Sequence, residues 1–408
     1  MSKSALKIAI AGLGEVGATT AQILQNQAAL ITARTGRDVT VVAVSSRDKT
    51  KDRGFSTNGL RWETDARALA TADDVDVVVE AIGGADGIAK ELVELALSNG
   101  KPVVTANKAL VAVHGESLAK LAEENQVTLA YEAAVAGGIP LINSLLSGLG
   151  GNQIDWVAGI INGTCNYILT AMTEDGADFA AVLKTAQELG YAEADPTFDI
   201  GGIDAAHKIA IIAALVFGVP VNFADVPVSG IEDVGAEDIE YARQLGYRIK
   251  HLGVAAAERE ASGKLMALDV RAHAALIPED RLLAGVNGVT NAALVKDNAV
   301  GLSLYAGPGA GGLPTAASVV ADLVRLAQGV PLMPRVMPGT PVHSVKLKPI
   351  EESAAPFYLR IPVRDQPGVL AKISNLLGQE GISIESVIQR EQAVRHAAAQ
   401  AGDAKDAS

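Results

Sequence analysis

The sequence predicts an α/β protein of two domains followed by a short third module, and three features carry that expectation. Near the N-terminus a short apolar run, Leu6–Ala11, meets a glycine-rich turn and then a helical stretch, and apolar runs alternate with helices from there to about residue 134. Beyond residue 135 the texture changes to strand-like runs around one strongly apolar helix, IDAAHKIAIIAALVFG. Aromatic residues are few, with six Phe, seven Tyr and two Trp. Cores must therefore be built from Ala, Val, Leu and Ile, which suits helices packed closely on a parallel sheet. A length of 408 residues gives room for about two to three domains, each with its own core.

Thirty-four basic residues against 47 acidic ones leave a net charge of −13. No basic run interrupts it, so binding to nucleic acid or to an anionic membrane is not expected. The single cysteine, Cys165, excludes an internal disulfide or a thiolate metal cluster and fits a reducing cytoplasm. The six histidines lie without metal-ligand spacing. The longest apolar run, residues 209–219, is about half a membrane span, and the N-terminus reaches Gly12 too early for a signal-peptide core. A soluble, cytoplasmic protein is the expectation.

In chain order, GLGEVG at residues 12–17 follows the first strand and opens the first helix. In that context a G-x-G-x-x-G turn binds a dinucleotide. Gly12 allows the tight turn, Gly14 lets backbone N–H groups approach the pyrophosphate, and Gly17 lets the helix pack on the strand. Leu13 and Val16 complete the cofactor turn, and residues 1–134 read as a Rossmann-type dinucleotide-binding domain. The second strand, residues 39–44, ends in Ser45-Ser46-Arg47, where a fold selective for NAD often carries a carboxylate; Asp48 follows closely. Arg47, helped by Lys49, Lys51 or Arg53, suits a 2′-phosphate. NADP is therefore the expected cofactor, with NAD possible.

Further strands are expected at residues 75–81, 102–105 and 127–131. Their carboxyl ends bring Ile82-Gly83-Gly84, Thr105-Ala106-Asn107-Lys108 and Glu132 to the ligand-binding edge. After Glu132 come Val135, Gly137, Gly138, Ile139 and Pro140, a crossover that exposes main-chain carbonyls beside the Glu132 carboxylate. Such an oxygen-only set suits a hard cation, and a plain interdomain hinge is the other reading. Residues 156–161, 254–270 with gaps, and 301–305 look like strands of a second sheet, in a substrate and oligomerisation domain spanning residues 135–306. A second glycine turn at residues 307–312 opens the helix PTAASVVADLVRLA. It returns the chain to the first domain, at about residues 307–330, and its donors, at Gly309 and Gly311, can also meet the cofactor.

The densest charge lies at residues 190–208, GYAEADPTFDIGGIDAAHK. Asp195-Pro196 signals a turn and Gly201-Gly202 a break, so a helix is expected to start near Ile203. Asp204 then lies in its first turn, where a carboxylate suits the helix dipole, and Lys208 follows one turn later on the same face. Carboxylates and an ammonium thus share a site able to hold a small substrate's amino group while the lysine moves a proton. A solvated loop capped by an ordinary i,i+4 pair is the plain alternative.

Six ordered motifs, GLGEVG, VVTANKAL, YEAAVAGGIPLI, GIINGTCNYILTAM, ELGYAEADPTFDIGGIDAAHK and LYAGPGAGGLPTAASVVADL, together resemble the homoserine dehydrogenase family from about residue 8 to residue 326. The resemblance implies reversible NAD(P)-dependent oxidation of L-homoserine to L-aspartate 4-semialdehyde, in the pathway to threonine, methionine and isoleucine. By it, Glu193 and Asp204 hold the substrate, Lys208 gives or takes the proton at the reacting oxygen, and Lys108 orients substrate and nicotinamide. Asp195 and Asp199 are supporting carboxylates, and Gly190 joins the cofactor-binding set. Glu132 and the main chain of Val135, Gly137 and Ile139 match a monovalent cation site, usually sodium, and the second sheet is implied to form a homodimer or homotetramer. Withdrawing hydride from an alcohol leaves a protonated carbonyl unless a base takes the hydroxyl proton. With an ordinary lysine pKa of about 10.4, a modest shift implies an alkaline optimum for oxidation.

Cys165 stands in NGTCN where a hydroxyl residue is commoner. A semialdehyde dehydrogenase with Cys165 as nucleophile is one rival, but no histidine pattern supplies the activating base, and a small buried residue is the simpler role. A non-catalytic nucleotide sensor is another, and it leaves Lys108, Glu193, Asp204 and Lys208 without a purpose. Beyond a Pro-rich linker at residues 331–355, residues 357–363, DQPGVL, AKISNLLGQEGI and residues 383–389 are expected as strand, turn, helix and strand. They resemble the first half of an ACT domain, at residues 356–390, without its second half. That leaves a sheet edge unpaired and makes feedback by threonine doubtful; the polar end, residues 391–408, is expected as frayed helix or disorder.

Overall fold

The computed structural model describes residues 4–330, 345–353, 355–364 and 366–389. Its first part alternates strand and helix: β1 (Leu6–Ala11), α1 (Glu15–Asn26), α2 (Ala28–Thr35), β2 (Val39–Ser45), β3 (Arg61–Glu63), α3 (Ala68–Thr71), β4 (Val77–Glu80), α4 (Ile88–Ser98), β5 (Val103–Thr105), α5 (Lys108–Glu124) and β6 (Leu129–Ala130). The six strands run parallel in the order β3-β2-β1-β4-β5-β6. This is the Rossmann-type order, and the reversal beside β1 opens a crevice at the carboxyl ends of β1 and β4. Successive side chains enter different cores. Ile8, Ile10, Val77, Val79 and Val104 pack with Ala21 and Leu24 of α1 and with the late residues Val319, Leu323 and Ala327. Ala9, Ala11, Val78 and Val103 pack with Leu92 and Leu97 of α4 and Leu110 and Leu118 of α5. Burial on both faces is why these strands read as unbroken apolar runs.

The second part contains α6 (Leu141–Asn143), β7 (Ile154–Ile160), α7 (Gly163–Glu174), α8 (Phe179–Glu188), α9 (Thr197–Ile200), α10 (Ile203–Phe217), α11 (Ala236–Gln244), β8 (Tyr247–Arg259), β9 (Leu265–Pro278), β10 (Thr290–Asp297), β11 (Gly301–Pro308) and α12 (Gly312–Gln328), then β12 (Lys346–Leu347) and α13 (Val369–Gln379). The sheet order is β11-β10-β7-β8-β9-β12. All pairs are antiparallel except β12 with β9. The expected interrupted strand at 254–270 is the inner part of a long β8–β9 hairpin, and the gaps are its turn. The strand β10, which the sequence reading missed, lies inside the sheet with Ala292, Ala293 and Val295 buried.

The helix α10 joins the two parts. It is buried nearly all round, as a helix apolar on every face must be. Ala205, Ala206 and residues 209–213 share one core with Leu110 and Leu118 of α5 and with Val157, Ala255, Leu268 and Val270 of the second sheet. Gly253 permits this approach, since a Cβ there would meet Ile209 at 2.9 Å. Through Val319, Leu323 and Ala327, α12 lies back on the first sheet beside α1.

In the tail only α13 takes the expected form. Residues 357–363 and 383–389, expected as strands, pair with no strand among the described residues. A strand needs a neighbour for its N–H and C=O groups, and none lies alongside these segments among the described residues. Phe357, Leu359, Ile361, Val363, Ile384 and Val387 consequently remain exposed. The opposite face docks: Tyr358 Oη donates to Asp238 Oδ1 at 2.8 Å, and Arg360 Nε lies 2.8 Å from the same oxygen. Residues 331–344 of the expected linker and the expected polar tail at 391–408 lie outside the described residues. Among the described residues no helix is long and apolar enough to cross a membrane.

Candidate active site

The first glycine turn separates packing from access. Gly12 has φ +91°, and a Cβ on it would sit 2.4 Å from the Ala81 carbonyl oxygen; on Gly17 it would sit 1.9 Å from the Gly12 oxygen. Gly14 precedes α1 with open space around it, so its backbone can be approached by a ligand. Leu13 is buried and Val16 half-buried. The crevice is further shaped by Glu80, a wholly buried carboxylate at the end of β4. Its Oε1 accepts from the backbone N–H groups of Ile82 (2.7 Å) and Gly83 (3.1 Å), and its Oε2 from Thr105 Oγ1 (2.5 Å). Asn107 donates to Gly84 O at 2.7 Å and caps α5 by accepting from Leu110 N at 3.1 Å. Ile82 is thereby turned outward, and Lys108 starts α5 at the crevice. Sequence reading missed Glu80, because a carboxylate closing an apolar run reads as the strand's end.

The second glycine turn meets the first. Gly137 (φ +56°) abuts Gly309, where an added Cβ would lie 2.4 Å from the Gly309 carbonyl. Gly311 (φ +106°) precedes α12, and Gly312 N donates to Glu15 Oε1 at 3.0 Å, tying the starts of α1 and α12 together. At the end of β2, Arg47 is exposed, as are Lys49 and Lys51. Arg53 must be struck from the expected phosphate-binding set. It is buried, donates to Leu13 O (3.2 Å), Lys51 O (2.7 Å) and Ser46 Oγ (2.9 Å), and lies 5.7 Å from the centre of the Trp62 ring. It holds the loop together instead.

At the other end of the crevice the charge is concentrated on Asp204, 1% exposed in the first turn of α10. Its Oδ2 accepts from Lys208 Nζ at 2.8 Å and from Asn162 Nδ2 at 2.9 Å, while Oδ1 accepts from Lys108 Nζ. Lys208 Nζ also donates to Ile161 O at 2.8 Å. Asn162 Nδ2 donates to Asp199 Oδ1 at 2.8 Å. Lys108 lies 5.0 Å from the Phe198 ring centre. The pair is therefore no solvated i,i+4 contact. Burial pushes the Asp204 carboxyl up, but Lys208 and Lys108 outweigh it and hold the group well below the usual carboxylate range. Burial raises Asp199, Asn162 opposes the rise, and the charge of Asp204 adds to it. Burial, then Lys108, lowers His207, whose ring packs between Phe198 and Phe223.

Lys108, Asp199, Asp204 and Lys208 are thus brought together across the two parts of the chain. Glu193 is not: it is exposed, and its carboxylate makes no polar contact with them, only its carbonyl accepting from Gln187 Nε2 at 3.1 Å. Asp195 turns the chain into α9, accepting from Thr197 N at 3.1 Å. Gly190 (φ +75°) makes the turn after α8, in open space. Cys165 is fully buried, donates to Asp199 O at 3.2 Å and has its thiol pushed up by burial. A thiol so placed is not an activated nucleophile.

The Glu132 carboxylate accepts from Ile142 N (2.8 Å) and Asn143 N (2.7 Å), and Glu132 N donates to Asp322 Oδ2 at 3.0 Å. Burial pushes Glu132 up to about 7 and Asp322 up to about 6. Ser318 Oγ donates to Gly137 O at 2.6 Å and Leu141 N to Ile139 O at 2.7 Å; Val135 is fully buried. Three of the four expected oxygen sources therefore already accept hydrogen bonds. No cluster of three or more His, Cys, Asp or Glu suited to a metal occurs among the described residues.

Comparison with known proteins agrees with this geometry. The chain matches the homoserine dehydrogenase family over residues 140–324, the NAD binding domain of homoserine dehydrogenase over residues 12–132 and the ACT domain over residues 357–398. Homoserine dehydrogenase of Pseudomonas aeruginosa is 47% identical over 392 residues, 95% of this chain and 88% of its own. The crystal structure of a homoserine dehydrogenase from Thiobacillus denitrificans is 43% identical with a TM-score of 0.85, over 96% of this chain and 90% of that one. A hyperthermophilic archaeal homoserine dehydrogenase in complex with NADPH is 25% identical with a TM-score of 0.67, over 81% of this chain and 100% of that one. With a pyridine-nucleotide crevice and a buried lysine–aspartate–lysine cluster at its end, and with such likeness along nearly its whole length, the chain belongs to the homoserine dehydrogenase family of oxidoreductases.

Proposed function

We propose that the chain interconverts L-homoserine and L-aspartate 4-semialdehyde with NADP, serving threonine, methionine and isoleucine synthesis, with Lys208 as proton donor and acceptor. The observation that carries this reading is the single buried carboxylate of Asp204, which grips one lysine from each part of the chain. A nicotinamide held in the crevice would supply the hydride acceptor or donor for the substrate carbon. Lys208 commits N–H groups to Ile161 O and Asp204, and a third is left for the reacting oxygen. As an ammonium it donates to the semialdehyde carbonyl; as a neutral amine it takes the homoserine hydroxyl proton. Lys108, at the first turn of α5, orients substrate against nicotinamide. Asp199 meets the substrate's ammonium, and Glu193 joins from the exposed rim of the same loop.

Preference for NADP is supported by Arg47, exposed at the end of β2 with no acidic partner among the described residues, and by the NADPH held by the archaeal relative. Sodium at Glu132, Val135, Gly137 and Ile139 is supported by donor chemistry alone, each hydrogen-bonded oxygen keeping a further lone pair for a cation. Association through the second sheet is supported by Leu302 and Leu304, exposed on edge strand β11. The test is to add L-homoserine with NADP or NAD and follow the reduced nicotinamide. Reduction with a lower KM for NADP is expected, and Arg47→Ala should erode that preference by roughly tenfold or more. Silence with both cofactors in a chain that still binds NADPH would overturn the reading.

A further inference from the structure

Asn162 follows β7 and is 3% exposed. Both polar atoms of its side chain are engaged. Its Oδ1 accepts from Cys165 N at 2.8 Å, capping α7. Its two amide hydrogens go to different carboxylates, Asp199 Oδ1 at 2.8 Å and Asp204 Oδ2 at 2.9 Å. The residue before it, Ile161, holds Lys208 by its carbonyl. Capping alone does not call for an amide, since Asp or Ser caps a helix as well. Only an amide accepts with one atom and donates twice with the other.

We infer that Asn162 is a positioning residue for the proposed reaction, bridging Asp199 and Asp204 so that both stay ionised and aligned, one toward substrate and one toward the two lysines. Two carboxylates in one buried site oppose each other's ionisation, and hydrogen bonds donated to the charged forms favour it. The groups facing this bridge are the Lys108 and Lys208 ammoniums, the Cys165 thiol and, within reach of the Asp204 charge, the His207 and His251 rings. Without the amide, Asp199 loses an influence that lowers it, leaving burial and the Asp204 charge to raise it against Lys108 and Lys208 alone. The inference rests on the activity proposed above.

The decisive variant is Asn162→Asp, which keeps shape and cap while replacing two donors by an acceptor. Asn162→Ser also caps but is too short to bridge, and it carries the test if the aspartate variant does not fold. Both are compared with wild type, in the full chain, for NADPH binding by fluorescence and for kcat and KM on L-homoserine from about pH 6 to about pH 10, a span chosen to cover both limbs of the profile. NADPH binding should be unchanged. Asn162→Asp should lose about a hundredfold in kcat/KM, and its rate relative to wild type should recover toward low pH, where the new carboxyl gains a proton to donate. Asn162→Ser should raise KM for L-homoserine and move the acid limb of kcat/KM to higher pH. Variants whose limbs superpose on the wild type, at any rate, would overturn the inference and leave Asn162 a helix cap. A wild type inactive on L-homoserine would overturn the functional reading and this inference with it.

Discussion

Asp204 sits 1% exposed between two ammonium groups, a position in which the carboxylate and the lysines each depend on the other's charge. Removing one partner of such a buried set leaves uncompensated charge behind. Asp204→Asn should therefore lower stability at neutral pH by about 3 to 5 kcal/mol, read by denaturant titration. The sign with pH follows from its depressed ionisation. The stabilisation is complete above the unfolded value near 3.8 and is lost as pH falls through the lower folded value. Wild type should thus weaken on acidification below about pH 4, and Asp204→Asn should weaken less. The Asp204–Lys208 pair was legible in sequence because one helix sets its spacing. The Lys108–Asp204 pair joins residues 96 apart, and no local pattern announces it. Asn162 was hidden similarly, since its cap is local and its two carboxylate contacts are not.

Among the elements, the two glycine turns make separable predictions. Gly14→Ala meets nothing within 4 Å, so thermal stability should hold while cofactor KM rises. Gly17→Ala would place a methyl 1.9 Å from the Gly12 carbonyl oxygen and should cost stability first, with a drop in melting temperature in the absence of cofactor. The glycine pattern was readable because strand, turn and helix are contiguous. The strand β3 was not, because RWE has no apolar run and gains its place only by pairing with β2. The tail strands failed for the opposite reason. Their apolar alternation is plain in sequence, but alternation describes a side-chain pattern, and a strand exists only where another backbone lies alongside.

Across the whole molecule, α10 makes the two parts share one core. Ile209, fully buried there, should cost about 2 to 5 kcal/mol when cut to Ala. One Trp lies in each sheet, Trp62 on β3 and Trp156 on β7. Single-Trp variants should therefore report one coincident unfolding transition, and Ile209→Ala should shift both reporters equally; separate transitions would show two independent cores. The same continuity brings Lys108 and Lys208 onto one carboxylate, which supports the proposed proton transfer by Lys208. Its most direct test is kcat for L-homoserine oxidation in Lys208→Ala, in protein shown by melting and NADPH binding to be folded. Proton transfer by Lys208 predicts a fall of about a hundredfold to ten-thousandfold in kcat with NADPH affinity retained. A variant that keeps kcat within about tenfold of wild type would contradict it.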